Sequence, residues 1–343
     1  MKEEDVLSEW KEQEELVDKK KAKKMVWKTR LSIGFTVIRT LLLLLLIYFL
    51  YMVPVEIFYN ISGKGNQFNR IVTTLVETHY PGVEVDKYGA RDSAEITSLL
   101  TKKTSIPLYQ SVGNWDVVIG DVSAKDGLFG KLHYTVDLTK KYVEEDMVPT
   151  FFLPPDLMGK PVTGRTGEDP IFKEQIEKIE DGYVAEIAFS TTESMEPEQL
   201  RSMLAEYDLS IYQMAVFGGE MNEVEVNYAQ SGQFTMISPL LLRPAVEYDE
   251  KHQISSSYHD LTNKEALQQS IESFYDDMKW LVEHGNYPNK GIDQKRLAYL
   301  NEHEMKVFGA IVTGPIREIE KLKDEEKFHQ FQLGGIEVWN WSE

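Results

Sequence analysis

The longest apolar run of the chain lies near its beginning, at residues 31–53, and only Arg39 interrupts these 23 positions. A helix needs about 20 apolar residues to cross a bilayer, and the long Arg39 side chain can extend toward the nearer headgroups. No signal-peptide cleavage site follows the run, and its six consecutive leucines are unusual for a buried soluble helix. The pattern predicts a membrane-spanning helix, which together with its outer flank occupies residues 31–58.

Basic residues are concentrated on one side of this run. Seven of the twelve residues at positions 19–30 are basic, whereas residues 54–63 contain none. The seven are Lys19, Lys20, Lys21, Lys23, Lys24, Lys28 and Arg30. Because segments rich in Lys and Arg stay in the cytoplasm, the sequence predicts a single-pass protein of the cell membrane. Residues 1–30 would be a cytoplasmic tail, and the remaining domains would lie outside the cell.

The tail has an amphipathic pattern if it is helical. At 100° per residue, Val6, Trp10 and Val17 lie within about 40° of one another, and Leu7 and Leu16 flank this face. One interpretation is a helix on the inner leaflet, although anionic lipid would repel its acidic first half. A second is a helix that docks in a groove of a cytoplasmic partner, and a third is disorder. The five apolar side chains are the candidate partner-binding residues.

Short patterns beyond the membrane run predict a β-rich domain at residues 64–153. Residues 62–66 contain two glycines and are predicted to be a flexible hinge. The apolar spacing over residues 68–76 predicts a short helix that ends near Tyr80. Four strand-like runs follow, at residues 83–88, 106–119, 132–138 and 148–153.

A Pro- and Gly-rich stretch at residues 154–170 is predicted to separate this domain from a C-terminal domain at residues 171–343. A strand–helix–strand succession occurs there twice, and each helix begins near a proline. The segments are residues 183–190, 197–207 and 209–217, and then 305–312, 315–324 and 331–341. Two βαβ units favour a ferredoxin-like α/β sandwich, and two unrelated crossings of one mixed sheet are the alternative. The predicted fold class of the whole chain is α+β.

The clearest helix pattern lies between the two units. Residues 262–265 have the Thr-x-x-Glu spacing of a capping box, and an apolar stripe continues from there to Gly285. Asp276 and Asp277 are adjacent on this helix and cannot both face one ligand. We therefore expect both carboxylates to be solvated.

Composition excludes several classes of function. The chain has 37 basic and 56 acidic residues, a formal charge of -19, which argues against nucleic-acid binding. It contains no cysteine, which excludes disulfides, thiol catalysis and thiolate metal sites. Its seven histidines are scattered, and no zinc-protease, nucleophile-elbow or phosphate-loop motif occurs. We therefore expect neither an enzyme nor a cofactor or metal site.

Four segments of the chain resemble the sigma factor regulator family. They are VFGAIVTGPIREIEKL (residues 307–322), GGIEVWNW (334–341), SGKGNQF (62–68) and YPGVEVD (80–86). The family comprises membrane-bound anti-sigma factors of Gram-positive bacteria, including the anti-sigma-M type. The resemblance implies that sigma factor regulator N- and C-terminal domains lie outside the cell. Their role would be sensing or stabilisation. The resemblance also implies a cytoplasmic end that restrains an extracytoplasmic-function sigma factor.

One departure from the family pattern bears on this expectation. Cytoplasmic anti-sigma domains usually contain several helices, whereas this tail has about 30 residues and no His/Cys zinc motif. The tail would then contact the sigma factor as a single helix, need a small membrane protein as a partner, or have lost the role. The alternative function is a cell-envelope binding or scaffold module whose N-terminus only anchors it in the lipid bilayer.

Overall fold

The apolar run belongs to one continuous helix, α1 (Glu3–Ile61), of 59 residues. The computed structural model describes residues 3–87, 94–127, 130–139, 148–158, 170–231 and 234–339. At 1.5 Å per residue α1 is about 88 Å long, so it extends far beyond the 31–58 span on its N-terminal side. The predicted apolar helix is confirmed, and the tail backbone is helical from Glu3. The chain divides into two compact units, Met1–Ile61 and Ser62–Glu343.

The second unit alternates short strands with a few helices. In chain order its elements are α2 (Lys64–His79), β1 (Glu84–Val85), β2 (Glu95–Ile96), β3 (Lys102–Val112), β4 (Trp115–Asp126), β5 (His133–Leu138), β6 (Phe151–Leu153), α3 (Pro170–Glu177), β7 (Tyr183–Met195), α4 (Pro197–Leu204), β8 (Ser210–Val216), β9 (Ala229–Ser231), β10 (Phe234–Ile237), β11 (Leu240–Leu242), β12 (Val246–Tyr248), β13 (Ile254–Ser257), α5 (Lys264–His284), α6 (Lys290–Glu302), β14 (Val307–Pro315), α7 (Ile316–Lys321) and β15 (Phe328–Val338).

The first strands form an antiparallel sheet, here called the hairpin sheet, in the order β1-β3-β4-β5, and β2 also pairs with β3. The prediction of a single strand at residues 106–119 is wrong, because β3 and β4 form a hairpin around Gly113, whose φ is 60°. Strand-forming residues continue on both sides of this turn, so the pattern alone did not reveal it. The predicted hinge at residues 62–66 is also shorter than expected, since α2 begins at Lys64.

The five-stranded sheet has the order β11-β8-β14-β7-β15, and all neighbouring strands are antiparallel. The two predicted strand–helix–strand successions are present as β7-α4-β8 and β14-α7-β15. β14 lies between β7 and β8, and β7 lies between β14 and β15. The two strands of each succession are therefore separated by one strand of the other succession. This strand order is that of a split βαβ arrangement. Assignment to the ferredoxin-like class stays a prediction.

Helix α5 begins one residue later than the capping box predicts. Asn263 is its N-cap, and the Asn263 Oδ1 accepts a hydrogen bond of 2.7 Å from the Ala266 amide. The Thr262 hydroxyl instead accepts a 3.0 Å bond from the Ile211 amide and so ties the start of α5 to β8. The prediction of a capping box is therefore wrong, because the Thr262 hydroxyl bonds to a distant strand and not to the first turn of α5.

Apolar side chains pack on both faces of the five-stranded sheet. The larger core combines α2, α4, α5 and α7 with the inner side of the hairpin sheet, and Leu75, Leu108, Ile187 and Met278 lie within it. A second, smaller core uses a different set of side chains from the same sheet. It is built around Phe217 and Phe308 together with Phe151 of β6. The domain bounds 64–153 and 171–343 stay predictions, and residues 159–169 of the predicted linker lie outside the described residues.

Candidate functional site

The five tail residues predicted to bind a partner all lie within α1. Trp10 is 73 % exposed. The side chains of Val6, Leu7, Leu16 and Val17 lie outside the described part of the chain. The apolar residues lie on one face only if the tail is helical, and its backbone is helical. A partner-binding role for that face stays a prediction.

The basic residues before the apolar run form a lysine collar, and all of them are exposed. The collar comprises Lys19, Lys20, Lys21, Lys23, Lys24, Lys28 and Arg30. From Asp18–Ile61 the helix is long and apolar enough to cross a membrane. The six leucines at 41–46 are each 52–60 % exposed, and soluble monomers rarely expose so large an apolar surface. α1 is therefore a candidate membrane helix, and its direction stays a prediction.

Helix α2 follows α1 in the chain, and a buried ionic cluster holds it in the second unit. Arg243, which follows β11, is the centre of this Arg243 cluster, and its side chain is 6 % exposed. Arg243 Nε lies 3.0 Å from Glu77 Oε2 on α2, and Arg243 Nη2 lies 2.7 Å from Asp277 Oδ2 on α5. Burial opposes the charge of Arg243, yet Glu77 and Asp277 raise its pKa above the usual value. The guanidinium therefore stays charged and joins α2 to α5.

A second arginine completes the cluster from α2 itself. Arg70 Nη2 lies 3.1 Å from Asp277 Oδ1, so Asp277 bridges two guanidinium groups. The Arg70 guanidinium also lies over two rings, 4.2 Å from the centre of Tyr248 and 4.1 Å from that of Trp280. Cation–π contacts of this kind add to the ion pair where water is excluded. Arg70 and Glu77 thus attach α2 to the C-terminal half of the chain at two points.

Both ends of α2 have further polar attachments. At the C-terminal end, His79 Nε2 lies 3.0 Å from Asp293 Oδ2, and the Tyr287 hydroxyl donates a 2.9 Å bond to the same oxygen. Burial raises the pKa of Asp293, but the His79 and Tyr287 contacts and nearby charges lower it overall. At the N-terminal end, the Asn66 side-chain amide donates a 3.2 Å bond to the Lys251 carbonyl oxygen. α2 therefore cannot shift without breaking buried polar contacts.

The expectation that both aspartates of α5 are solvated is wrong for Asp277. Asp276 is exposed as predicted, but Asp277 is 5 % exposed and lies within the Arg243 cluster. A signal for this was present in the sequence. Asp277 comes three residues after Phe274 and four before Leu281, both on the buried stripe, so helical spacing placed it on the apolar face.

The structure also gives a packing reason for part of the C-terminal motif. Within VTGP, the Thr313 hydroxyl donates a 2.8 Å bond to the Ala185 carbonyl and accepts a 2.6 Å bond from the Gly113 amide. A Cβ on Gly314 would lie 2.7 Å from the Asp208 carbonyl oxygen, so no larger residue fits there without a shift. Thr313 thus joins the five-stranded sheet to the turn of the β3–β4 hairpin, and Gly314 allows the chain before β8 to approach closely.

The part of the chain that the structure describes offers no cluster of metal-binding side chains. Within that part, no group of three or more His, Cys, Asp or Glu side chains could hold a metal ion. The candidate features among the described residues are a helix of membrane length, a basic collar and an ionically fixed α2.

A membrane-length helix followed by a mixed helix-and-sheet unit fits a class of membrane-anchored regulators, and the family comparisons identify that class. The model of the sigma factor regulator N-terminal domain matches residues 19–117, and that of the sigma factor regulator C-terminal domain matches residues 176–335. Together they cover about three quarters of the chain. The chain belongs to the sigma factor regulator family.

One relative makes the comparison more specific. The probable anti-sigma-M factor YhdL of Bacillus subtilis (strain 168) is 20 % identical to this chain over 288 residues. That alignment covers 83 % of this chain and 74 % of the relative. No solved structure matches the chain. The resemblance drawn from the four sequence segments is confirmed.

Proposed function

We propose that this protein is a membrane-anchored anti-sigma factor that restrains an extracytoplasmic-function sigma factor at the inner face of the membrane. The observation that carries the proposal is the continuity of α1. One helix contains the amphipathic tail, the lysine collar and the apolar run, and α2 follows it after two residues. Membership of the sigma factor regulator family supports a sigma factor as the partner.

The collar supports a cytoplasmic tail. Seven exposed basic residues lie on one side of the apolar run, and α1 has no basic residue in its last turn. Since translocating this basic segment would be unfavourable, residues 1–30 lie in the cytoplasm in our proposal. Residues 62–343 then lie outside and act as the sensing part.

The short tail limits how the sigma factor is held. A single amphipathic helix can bind a groove through a few apolar anchors, of which an exposed tryptophan contributes most. Trp10 is such an anchor, and Val6, Leu7, Leu16 and Val17 complete the apolar face. A small membrane protein that lies beside α1 would enlarge this contact area.

The sigma-binding proposal predicts a face-specific effect of charge. We immobilise the full chain in nanodiscs and expose it to each extracytoplasmic-function sigma factor of the host in turn. We expect one sigma factor to be retained, Trp10→Ala to weaken its binding by about 30-fold, as for a typical hot-spot tryptophan, and Val17→Asp to abolish it. Ser8→Asp is the matched control, because nine residues at 100° place Ser8 opposite Val17. Equal losses with both Asp variants, or no retained sigma factor, would contradict the proposal.

The proposed orientation predicts a labelling pattern. Because the chain has no cysteine, single cysteines can be placed at Ser8 in the tail and at the exposed Glu225 of the second unit. With a membrane-impermeant maleimide on intact cells, we expect Glu225→Cys to react and Ser8→Cys to react only after permeabilisation. The reverse pattern would mean that the tail faces outward and would remove the basis for sigma binding.

A further inference from the structure

A buried carboxyl group in β7 has no counterion among the residues that the structure describes. Glu186 is 1 % exposed, and among the described residues its Oε1 has no hydrogen-bond partner. Glu186 lines a narrow cleft with room for roughly one water molecule. The other residues that line the cleft are Gly82, Glu84, Ser111, Tyr212, Gln213 and Ile311. An unpaired carboxylate in such a place would be costly if it were ionised.

The cleft lies where the hairpin sheet meets the five-stranded sheet, a contact that we call the seam. Glu84 and Ser111 come from β1 and β3, whereas Glu186 and Gln213 come from β7 and β8. The Gln213 side chain holds the seam beside the cleft, since its Oε1 accepts a 2.9 Å bond from the Gly82 amide. Farther along, the Trp115 indole donates a 2.8 Å bond to the Val338 carbonyl of β15.

The approach of the two sides at Glu186 is very close. A Cβ on Gly82 would lie 3.2 Å from Glu186 Oε1, and one on Gly334 of β15, the strand beside β7, would lie 3.1 Å from Gln110 Nε2 of β3. A solvation shell around an ionised Glu186 therefore does not fit unless the two sheets move apart. A protonated carboxyl group needs no such shell and fits the space that is present.

The charged groups around Glu186 oppose its ionisation. Glu84 of β1 lines the same cleft as Glu186 and accepts a 2.6 Å bond from Ser111. β8 contributes the phenol of Tyr212, while β14 and β15 contribute Ile311 and Gly334 there. Beyond them, the charged groups near Glu84 are Lys87, Glu77 and Asp116. The pKa of Glu186 is raised from 4.5 to about 8, because burial raises it, a hydrogen bond from Gln110 lowers it in part, and the charge of Glu84 adds to the increase.

We propose that Glu186 is a proton-operated latch, which holds the hairpin sheet against the five-stranded sheet while protonated and lets the seam open when it loses the proton. The latch stands on the geometry of the seam and does not depend on which partner the tail binds. It gives the outer unit a response to the proton concentration outside the membrane. Since its pKa is raised in the closed state, the latch contributes fully below about pH 4.5, and the contribution is lost as pH rises to about 8.

A cysteine at the seam can report the opening. Val112 is fully buried in β3, and its side chain lies against Gly335 of β15. We introduce Val112→Cys into the full chain, in nanodiscs, and measure its rate of maleimide labelling from pH 5.5 to 9.5. The same measurement with Glu186→Gln, which keeps the shape of a protonated glutamate, gives a ratio of rates in which the ionisation of the thiol cancels.

The latch predicts how this ratio of labelling rates depends on pH. We expect the labelling of the Glu186 protein relative to Glu186→Gln to rise by up to about tenfold per pH unit and to level off above about pH 8. The control Glu225→Gln, at an exposed glutamate, should follow the Glu186 protein. A ratio that stays constant with pH would overturn the latch. A ratio that millimolar Ca²⁺ lowers at pH 9 would also overturn it, because the cleft would then be a cation site.

A second measurement avoids the introduced cysteine. In the chain that keeps Val112, the indole proton of Trp115 can be followed by hydrogen exchange in a protein with ¹⁵N-labelled tryptophan. We expect its exchange to be faster with Glu186 than with Glu186→Gln at pH 8 and nearly equal in the two proteins at pH 4. Equal exchange at both pH values would count against the latch even if Val112→Cys fails to fold.

Discussion

Replacement of Arg243 by alanine is expected to lower the free energy of unfolding of the second unit by about 3–5 kcal/mol, the usual cost of removing one partner from a buried ion pair. Arg243 is 6 % exposed, and Glu77 and Asp277 beside it are 3 % and 7 % exposed. Without Arg243, Glu77 is a buried carboxylate without its guanidinium partner, and Asp277 keeps only Arg70. Chemical unfolding of the full chain in nanodiscs, followed by tryptophan fluorescence, would measure the change.

Two further variants separate charge from shape in this experiment. Lys178→Met removes a pair with Glu174 in which both side chains are about 70 % exposed, and we expect the stability to remain that of the original protein because water screens such pairs. Adding Glu77→Gln to Arg243→Ala should recover part of the loss, since it removes a stranded charge. Unchanged stability in Arg243→Ala would mean that the cluster does not fix α2 in the second unit.

Deletion of residues 2–18 is expected to raise sigma-dependent transcription to the level of a strain that lacks the whole protein. The deletion removes the apolar face around Trp10 but keeps the collar at residues 19–30, so the direction of insertion should not change. A reporter gene under the control of the sigma factor, together with immunoblots of the membrane fraction, would measure both properties.

The control for this deletion lies in the same helix. A chain with Ser8→Asp keeps the apolar face and should repress the reporter as the unaltered chain does, whereas Val17→Asp should release it. If the reporter stays silent after the deletion while the protein remains in the membrane, the tail is only an anchor. The cell-envelope scaffold function would then be the better account of the protein.

Local patterns predicted much of the second unit because they depend on neighbouring residues. The two strand–helix–strand successions follow from periodicity and from a proline near each helix start, and both are present. The predictions that were wrong concern residues whose partners are distant in sequence. Thr262 bonds to β8 instead of capping α5, and Gly113 turns the chain within a run of strand-forming residues.

The features of the candidate site also fall into those that local sequence predicts and those that it does not. The apolar face of the tail and the lysine collar could be predicted from spacing and charge. Nothing in the neighbouring sequence, in contrast, distinguishes Arg243 or Glu186 from other charged residues. Arg70 and Asp277 are 207 positions apart, and His79 and Asp293 are 214 apart. No local pattern reports which distant charges will meet.

The sequence by itself determined that one helix has the length and polarity to cross a membrane, with its basic residues on one side, because hydrophobic length and charge asymmetry are properties of consecutive residues. Only the tertiary structure decided which charged partners surround each buried ionisable group. Asp276 and Asp277 are neighbours of identical chemistry, yet one is solvated and the other is buried between two arginines. Helical spacing places Asp277 on the apolar face of α5, but the two arginines that pair with it there come from α2 and from the chain after β11. The order of residues along α5 does not specify those partners.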